Sequence, residues 1–381
     1  MLEVGDAELS GARITLVIGT RPEAIKLAPV AHALAARGTP PTLILTGQHP
    51  GLLLGEYGLG GYLAGRLDCR GEDDPCVHAC TVAAAVAKLL ARPPDLVVVQ
   101  GDTSSALGGA LAAVEANVPI AHVEAGLRSF DPAMPWPEED NRIAIDAVAE
   151  LLFAPTETSA ANLRREQVRG TIHVTGNSGI DALLATVANL PMPARVRTTA
   201  EPPSLLVTCH RRENWGAGVT SVALALIAIA RSHQARIDCV LHPNPALGEA
   251  MRERLRGEPN IRLVGPYDHR AMIAAMRAAD IILSDSGGVQ EEAPALGVPL
   301  LVLREKTERP EGVASGNMLL VGTETGRIVD AVTRLLANHE ALAAMARPAL
   351  PFGDGNAGPR IAGHVLDWLA GRRAAEALRR A

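Results

Sequence analysis

Apolar positions along the chain come in short unbroken runs rather than in strict alternation. RITLVIG (13–19) is β-branched, apolar and closed by glycine, and TLILTG (42–47), DLVVVQGD (95–102) and PIAHVEAG (119–126) share that character. Between these runs lie segments with helical texture: AIKLAPVAHALAARG (24–38), stopped by Gly38, then VHACTVAAAVAKLL (77–90), SSALGGALAAVEAN (104–117) and a stretch from about Glu139 to Glu150. Strands covered on one face alternate, whereas strands covered on both faces are apolar throughout. The pattern therefore predicts a parallel sheet with helices on each side.

The alternation stops at LPMPARVRTTAEPPS (190–204), which holds four prolines and no apolar period, the mark of a domain boundary. Beyond it the pattern restarts with SLLVTCH (204–210), IDCVLH (237–242), IRLVGP (261–266), IILSDS (281–286), PLLVLR (299–304) and MLLVGT (318–323), with helices near 220–232 and 269–278. The predicted fold class is α/β: two successive doubly wound, Rossmann-like domains with parallel sheets, at 1–190 and 204–355. Residues 356–381 form a C-terminal helix and tail that pack back on the first domain.

With 381 residues, two domains fit the usual domain size. The net charge of −6 is spread thinly, and only three Trp, three Tyr and three Phe are present. Clustered basic groups and aromatic platforms are both missing, so no nucleic-acid partner is expected. No run of about 18 or more apolar residues suggests a membrane span, and the acidic N-terminus lacks a signal core, so the expected location is cytoplasmic. Five cysteines are too few and scattered for a disulfide framework. Cys76, His78 and Cys80 lie close together, but no second set of ligands comes after them, so no metal and no cofactor are expected.

In open parallel sheets ligands bind beyond the carboxyl ends of the strands, so the residues just past each strand matter most. The first strand leads into Gly19-Thr20-Arg21-Pro22-Glu23, with Lys26 one turn on. Asp102 comes after the third, and His122 and Glu124 end the fourth, with Arg128 beyond. The second half adds His210-Arg211-Arg212-Glu213-Asn214, His242-Pro243-Asn244-Pro245, Ser286-Gly287-Gly288 with Gln290-Glu291-Glu292, and Thr307-Glu308-Arg309-Pro310. Each group taken alone reads first as a helix cap or as a partner for a neighbour, and Glu308–Arg309 or Arg212–Glu213 read as ion pairs. Their accumulation at one edge of both sheets favours a binding site, because burying such groups is costly unless they are used. His32 and His233 lie in helical stretches and read as surface residues. The Ser286-Gly287-Gly288 turn suits an anion such as a diphosphate, with backbone amides at a helix N-terminus. Arg21, Lys26 and Arg309 are candidates for the remaining positive charge, and Glu292 suits a pair of ribose hydroxyls. No P-loop and no strand-terminal G-x-G-x-x-G occur.

The motifs GTRPEAIKLAPV, TGQH, QGDT, HVEAGLRS, PWPEEDNR, FAPTE, VTGN, HRREN, DSGGVQEEAPALGVP and TERPE resemble, in order and from Gly19 to about Ile361, those of the non-hydrolysing UDP-N-acetylglucosamine 2-epimerases. The resemblance implies a glycosyltransferase-B-like fold with the ligand in the interdomain cleft, and a homodimer acting on a UDP-sugar. It implies reversible 2-epimerisation of UDP-N-acetylglucosamine to UDP-N-acetylmannosamine, through elimination of UDP to a 2-acetamidoglucal and re-addition. By motif match Asp102, Glu124 and Glu138 are the catalytic carboxylates and His210 sits at the leaving diphosphate. Arg21, Lys26, Ser286, Gly287, Gly288, Glu292 and Arg309 hold the nucleotide, with Arg212 and His242 also at the substrate and Tyr267 or Met272 near the uracil. Pro50 and Gly51 replace the polar groups of a longer TGQHR motif tied to activation by the substrate. Alternatives stay open: a 2-epimerase of a related UDP-sugar such as UDP-2,3-diacetamido-glucuronic acid, a hydrolysing epimerase, or a glycosyltransferase or non-catalytic nucleotide-sugar binding protein.

Overall fold

A computed structural model of the chain describes residues 11–191, 201–211, 214–242 and 245–380. They form two compact units, residues 1–182 with 353–381 and residues 183–352. The first unit runs β1 (Ile14–Ile18), α1 (Arg21–Ala36), β2 (Thr42–Leu45), β3 (Leu63–Arg66), α2 (Pro75–Leu89), β4 (Leu96–Gln100), α3 (Ser104–Glu115), β5 (Ile120–Val123), α4 (Glu138–Val148), β6 (Leu151–Ala154), α5 (Glu157–Arg165), β7 (Thr171–Val174) and the start of α6 (Ser178–Ala188). The second holds β8 (Ser204–Thr208), α7 (Ala217–His233), β9 (Arg236–Val240), α8 (Pro245–Leu255), β10 (Ile261–Val264), α9 (His269–Ala278), β11 (Ile281–Ser284), α10 (Gly287–Leu296), β12 (Leu300–Val302), α11 (Pro310–Ala314), β13 (Met318–Leu320), α12 (Thr325–Ala337) and α13 (His339–Met345). The chain then returns to the first unit as α14 (Ala357–Arg380).

The sheets have the orders β3-β2-β1-β4-β5-β6-β7 and β10-β9-β8-β11-β12-β13, with every pair parallel. Strand order reverses beside β1 in one and beside β8 in the other, so each unit is doubly wound with its switch point at its first strand. This is the glycosyltransferase-B-like arrangement of two Rossmann-like units in series. Central strands such as β1 and β4 are buried along their whole length, as their unbroken apolar runs require.

Helix starts are set by local chemistry. Asp74 accepts from the Cys76 and Val77 amides ahead of Pro75, Thr103 caps α3 through the Ala106 amide, and Asp268 caps α9 through the Ala271 amide. One side of the first sheet packs β1, β2, α1 and α14 into a core that includes Leu27, Val30, Ile361 and Val365. The other side packs α2 and α3 through Val82, Val86, Ala110 and Ala113. The expected boundary at 190–204 lies further along than the division between the units, which falls inside α6; residues 192–200 lie outside the described residues. Among the described residues no helix is long and apolar enough to cross a membrane.

Candidate active site

In the first unit the functional groups gather where β1, β4 and β5 end. Glu124 directly succeeds β5, buried and in the left-handed region at φ 71°, a conformation that non-glycine residues adopt at a cost and that recurs at functional sites. Its Oε1 receives Lys26 Nζ at 2.5 Å and Asn177 Nδ2 at 3.2 Å, while Gln100 Nε2 donates to Oε2. Three donors from α1, β4 and the loop before α6 thus converge on one carboxylate. Lys26 is almost wholly buried, and Glu124 is among its partners.

Asp102 lies just past β4 and is held by Arg142, whose NH2 and Nε donate to Oδ2 at 2.5 and 3.1 Å; Asn141 Nδ2 donates to the Asp102 carbonyl at 2.8 Å. Arg142 also donates to Glu139, which in turn accepts from the Ser129 and Phe130 amides. Glu138, the first residue of α4, is half-buried. Glu23 joins the two loops: its carboxylate accepts from the Gly19 amide at 2.5 Å, the Thr20 amide at 2.9 Å and the Thr103 hydroxyl beside Asp102. Burial pushes its pKa up to about 7 against the pull of those three donors.

The HVEAGLRS stretch is fixed from below. His122 places Nδ1 2.6 Å from Asp146 and Nε2 2.8 Å from the Gly101 carbonyl. Asp146 also accepts from the Gly126 amide and from Arg128, which reaches on to Glu166. Burial favours the neutral form of Asp146, yet His122 and Arg128 hold it below the ordinary carboxylate range. Arg21 is exposed, its amide donating to His49 Nδ1 at 3.3 Å.

In the second unit Ser286 precedes α10 and gives that helix no side-chain cap, so its hydroxyl leaves the first-turn amides uncovered. Arg309 lies against the turn, and a Cβ on Gly287 would sit 2.9 Å from its Cζ, NH1 and NH2. The guanidinium is pinned by Glu291 at 2.6 Å and by Glu308, whose other oxygen receives Arg304 at 2.9 Å. The Glu308–Arg309 pairing read from the sequence is thus present, and it orients the cation. Gly288 has open space, with Ser286 Oγ the nearest atom at 4.0 Å. Glu292 meets His269 Nε2 at 3.4 Å.

Asp285, fully buried at the end of β11, gathers the HRREN stretch: it accepts from the His210 and Arg211 amides at 2.9 Å and from Asn214 Nδ2 at 2.8 Å. The His210 ring points Nε2 at the Val240 carbonyl, 3.1 Å away, and stands edge-on to His242 at 5.1 Å. Burial and then the neighbouring His210 hold the His242 imidazole below its ordinary value. Arg212, Pro243 and Asn244 lie outside the described residues. Tyr267 lines a separate cavity of about 850 Å³ with Asp238, Arg262 and Ala271, which none of the residues 286–292 lines, and Met272 is half-buried on α9.

Strand-end position singled out Asp102, Glu124, His210 and the Ser286 turn; it did not foresee Gln100, Asn177, Arg142, Asp146 or Asp285 as their partners. Among the described residues no group of three or more His, Cys, Asp or Glu is placed to hold a metal. In α2, His78 turns inward to the Cys69 carbonyl while Cys76 and Cys80 face out.

Known proteins resemble this chain along most of its length. A family model described as UDP-N-acetylglucosamine 2-epimerase matches residues 32–366. The chain is 42% identical to UDP-N-acetylglucosamine 2-epimerase of Yersinia pestis over 364 residues, covering 92% of this chain and 97% of that protein. It is 40% identical to the Escherichia coli K12 protein of the same name over 371 residues, with the same coverage. A crystal structure of UDP-GlcNAc 2-epimerase from Neisseria meningitidis bound to UDP-GlcNAc superposes with a TM-score of 0.87 at 35% identity, covering 93% of this chain and 100% of that one. The family model, the identity to these relatives and the length of the match all point one way: the chain belongs to the UDP-N-acetylglucosamine 2-epimerase family.

Proposed function

We propose that the chain interconverts UDP-N-acetylglucosamine and UDP-N-acetylmannosamine by elimination and re-addition of UDP, without net hydrolysis. Carbon 2 of the sugar has no carbonyl beside it in the ring, so its proton is not acidic enough for direct exchange. In the forward step a base takes that proton as the C1–O bond to the diphosphate breaks. The C–H electron pair becomes the C1=C2 double bond of the glucal, and UDP leaves with the C1–O pair. In the return step a diphosphate oxygen re-forms the bond to C1 while an acid delivers a proton to the other face of C2.

The observation that carries this reading is the buried Glu124 carboxylate under Lys26, Gln100 and Asn177. Donors on three sides favour its charged, proton-accepting form, so Glu124 is assigned as the base. Asp102, oriented by Arg142, and Glu138 at the start of α4 serve the return of the proton. The Ser286–Gly288 turn and Arg309 stabilise the charge that grows on the departing diphosphate, His210 assists there, and Glu292 takes the ribose. By motif match Arg21, Arg212 and His242 are further candidates for contact with the substrate, and Tyr267 or Met272 for contact with the uracil.

An NMR time course with UDP-N-acetylglucosamine in deuterated water tests the reading. Deuterium at carbon 2 with the sugar–phosphate bond intact supports it. Free N-acetylmannosamine and UDP would establish the hydrolysing reaction instead, and an unchanged spectrum would require another UDP-sugar.

A further inference from the structure

Asn177 belongs to the VTGN stretch, which has no step in the reaction above. It precedes α6 and is buried, with Oδ1 accepting from the Gly179 amide at 2.8 Å and Nδ2 donating to Glu124 Oε1 at 3.2 Å. This amide fits only one way round, since the flipped form would set its NH2 against an N–H and its oxygen against a carboxylate. The segment is clamped in turn by the chain as it re-enters the first unit. Arg360 NH1 donates to the Thr175 carbonyl at 3.2 Å, and Asp181 accepts from the Ala357 and Gly358 amides at 3.1 and 2.8 Å. Gly353, at φ +136°, packs so tightly that a Cβ would stand 3.1 Å from the Asn177 nitrogen.

We propose that Asn177 is a positioning residue for Glu124, fixing the carboxylate for proton transfer, and that residues 353–358 set Asn177. The inference rests on the reading of Glu124 as the base. A purely structural role makes a different prediction. As a helix cap, Asn177 is replaceable by Asp or Ser, which offer the same acceptor to the Gly179 amide. As a positioning donor it is not, because Asp turns a second carboxylate oxygen on Glu124 and Ser lacks the N–H.

The test is kcat and KM across pH, with melting temperature, for Asn177→Asp, Asn177→Ser, Gly353→Ala and Glu124→Gln. Expected for Asn177→Asp is a near-native melting temperature, kcat lower by about tenfold or more and KM changed less than about twofold. The limb of the kcat profile that needs ionised Glu124 also moves to higher pH, since a like charge opposes ionisation while Lys26 faces the carboxylate unchanged. Asn177→Ser lowers kcat, and Gly353→Ala does so more mildly from outside the site. Native kcat and pH profile in both Asn177 variants, with Glu124→Gln inactive, would overturn the positioning role alone. Native turnover in Glu124→Gln would remove the assignment of the base, and the positioning role with it. If Asn177→Asp proves unstable, Asn177→Ser and Gly353→Ala decide by the same split of kcat against KM.

Discussion

Replacing Gly287 by alanine isolates one contact. Gly287 has ordinary backbone angles, so the substitution brings no backbone strain, only a methyl group 2.9 Å from three guanidinium atoms of Arg309. Ordinary contact begins near 3.4 Å, so the guanidinium must retreat by about half an ångström. It has little room to do so, with Nε 2.6 Å from Glu291 and NH1 against Glu308, itself tied to Arg304. Overpacking of this kind costs about 1–3 kcal/mol, and full rupture of a buried ion pair about 3–5 kcal/mol, which sets the upper bound. Losing a charge-assisted contact to the diphosphate costs about 1.5–3 kcal/mol, or roughly ten- to a hundredfold in UDP affinity. Titration calorimetry with UDP and a thermal melt measure both effects. Gly288→Ala is the control from the same turn: its methyl group enters open space, so the melting temperature stays native. Equal melting temperatures for the two variants, or native UDP affinity in Gly287→Ala, would refute the view that Arg309 beneath the turn builds the anion site.

Other expectations concern the first unit and the kinetics. Asp102→Asn, Glu124→Gln and Glu138→Gln should each cut turnover by at least about a hundredfold with UDP affinity largely kept, measured by coupled assay and calorimetry; a parallel collapse of UDP binding would make them ligand-positioning groups. Glu23, with its pKa raised from 4.5 to about 7, holds a proton in the native state that the unfolded chain has lost. Stability from this group is complete below pH 4.5 and is lost as pH rises through about 7, a change of up to about 3 kcal/mol. Denaturant melts at pH 5, 6, 7 and 8 should show that decline, and Glu23→Gln should flatten it; an equal decline in the variant would point to other groups. Pro50 offers no backbone donor and Gly51 no side chain, so the rate curve should be hyperbolic and the reverse reaction should start from UDP-N-acetylmannosamine alone; a sigmoidal curve would show an effector site built from other residues.

Ten of the strands were legible because their apolar runs are uninterrupted. β3 and β7 were not, since each lies at a sheet edge with no position buried and carries no such run, and β6 is only the four residues LLFA between two helices. Strand ends located the charged groups, because a parallel sheet delivers its loops to one edge. Partner choice was beyond reach: Lys26 and Glu124 are 98 residues apart, and Asp285 meets Asn214 across 71. Charge and motif pointed Lys26 toward the nucleotide; its ion pair with the buried Glu124 was not foreseen.

The return of α14 to the first unit has a consequence for how the chain comes into being. Ala357, Ile361, Val365 and Leu369 complete a core whose other members lie on β1, β2, β4, β5 and β6, on α1 and in the segment after β2. On the ribosome those early elements emerge first, and the whole of residues 183–352 must be made before their covering helix exists. The second unit therefore has all its residues in hand while the first still shows an apolar flank, which inverts the usual order in which amino-terminal domains finish ahead of later ones. Translation speed and chaperone access during that interval act on the α1 flank of the first unit, and a chain released before residue 357 leaves it bare.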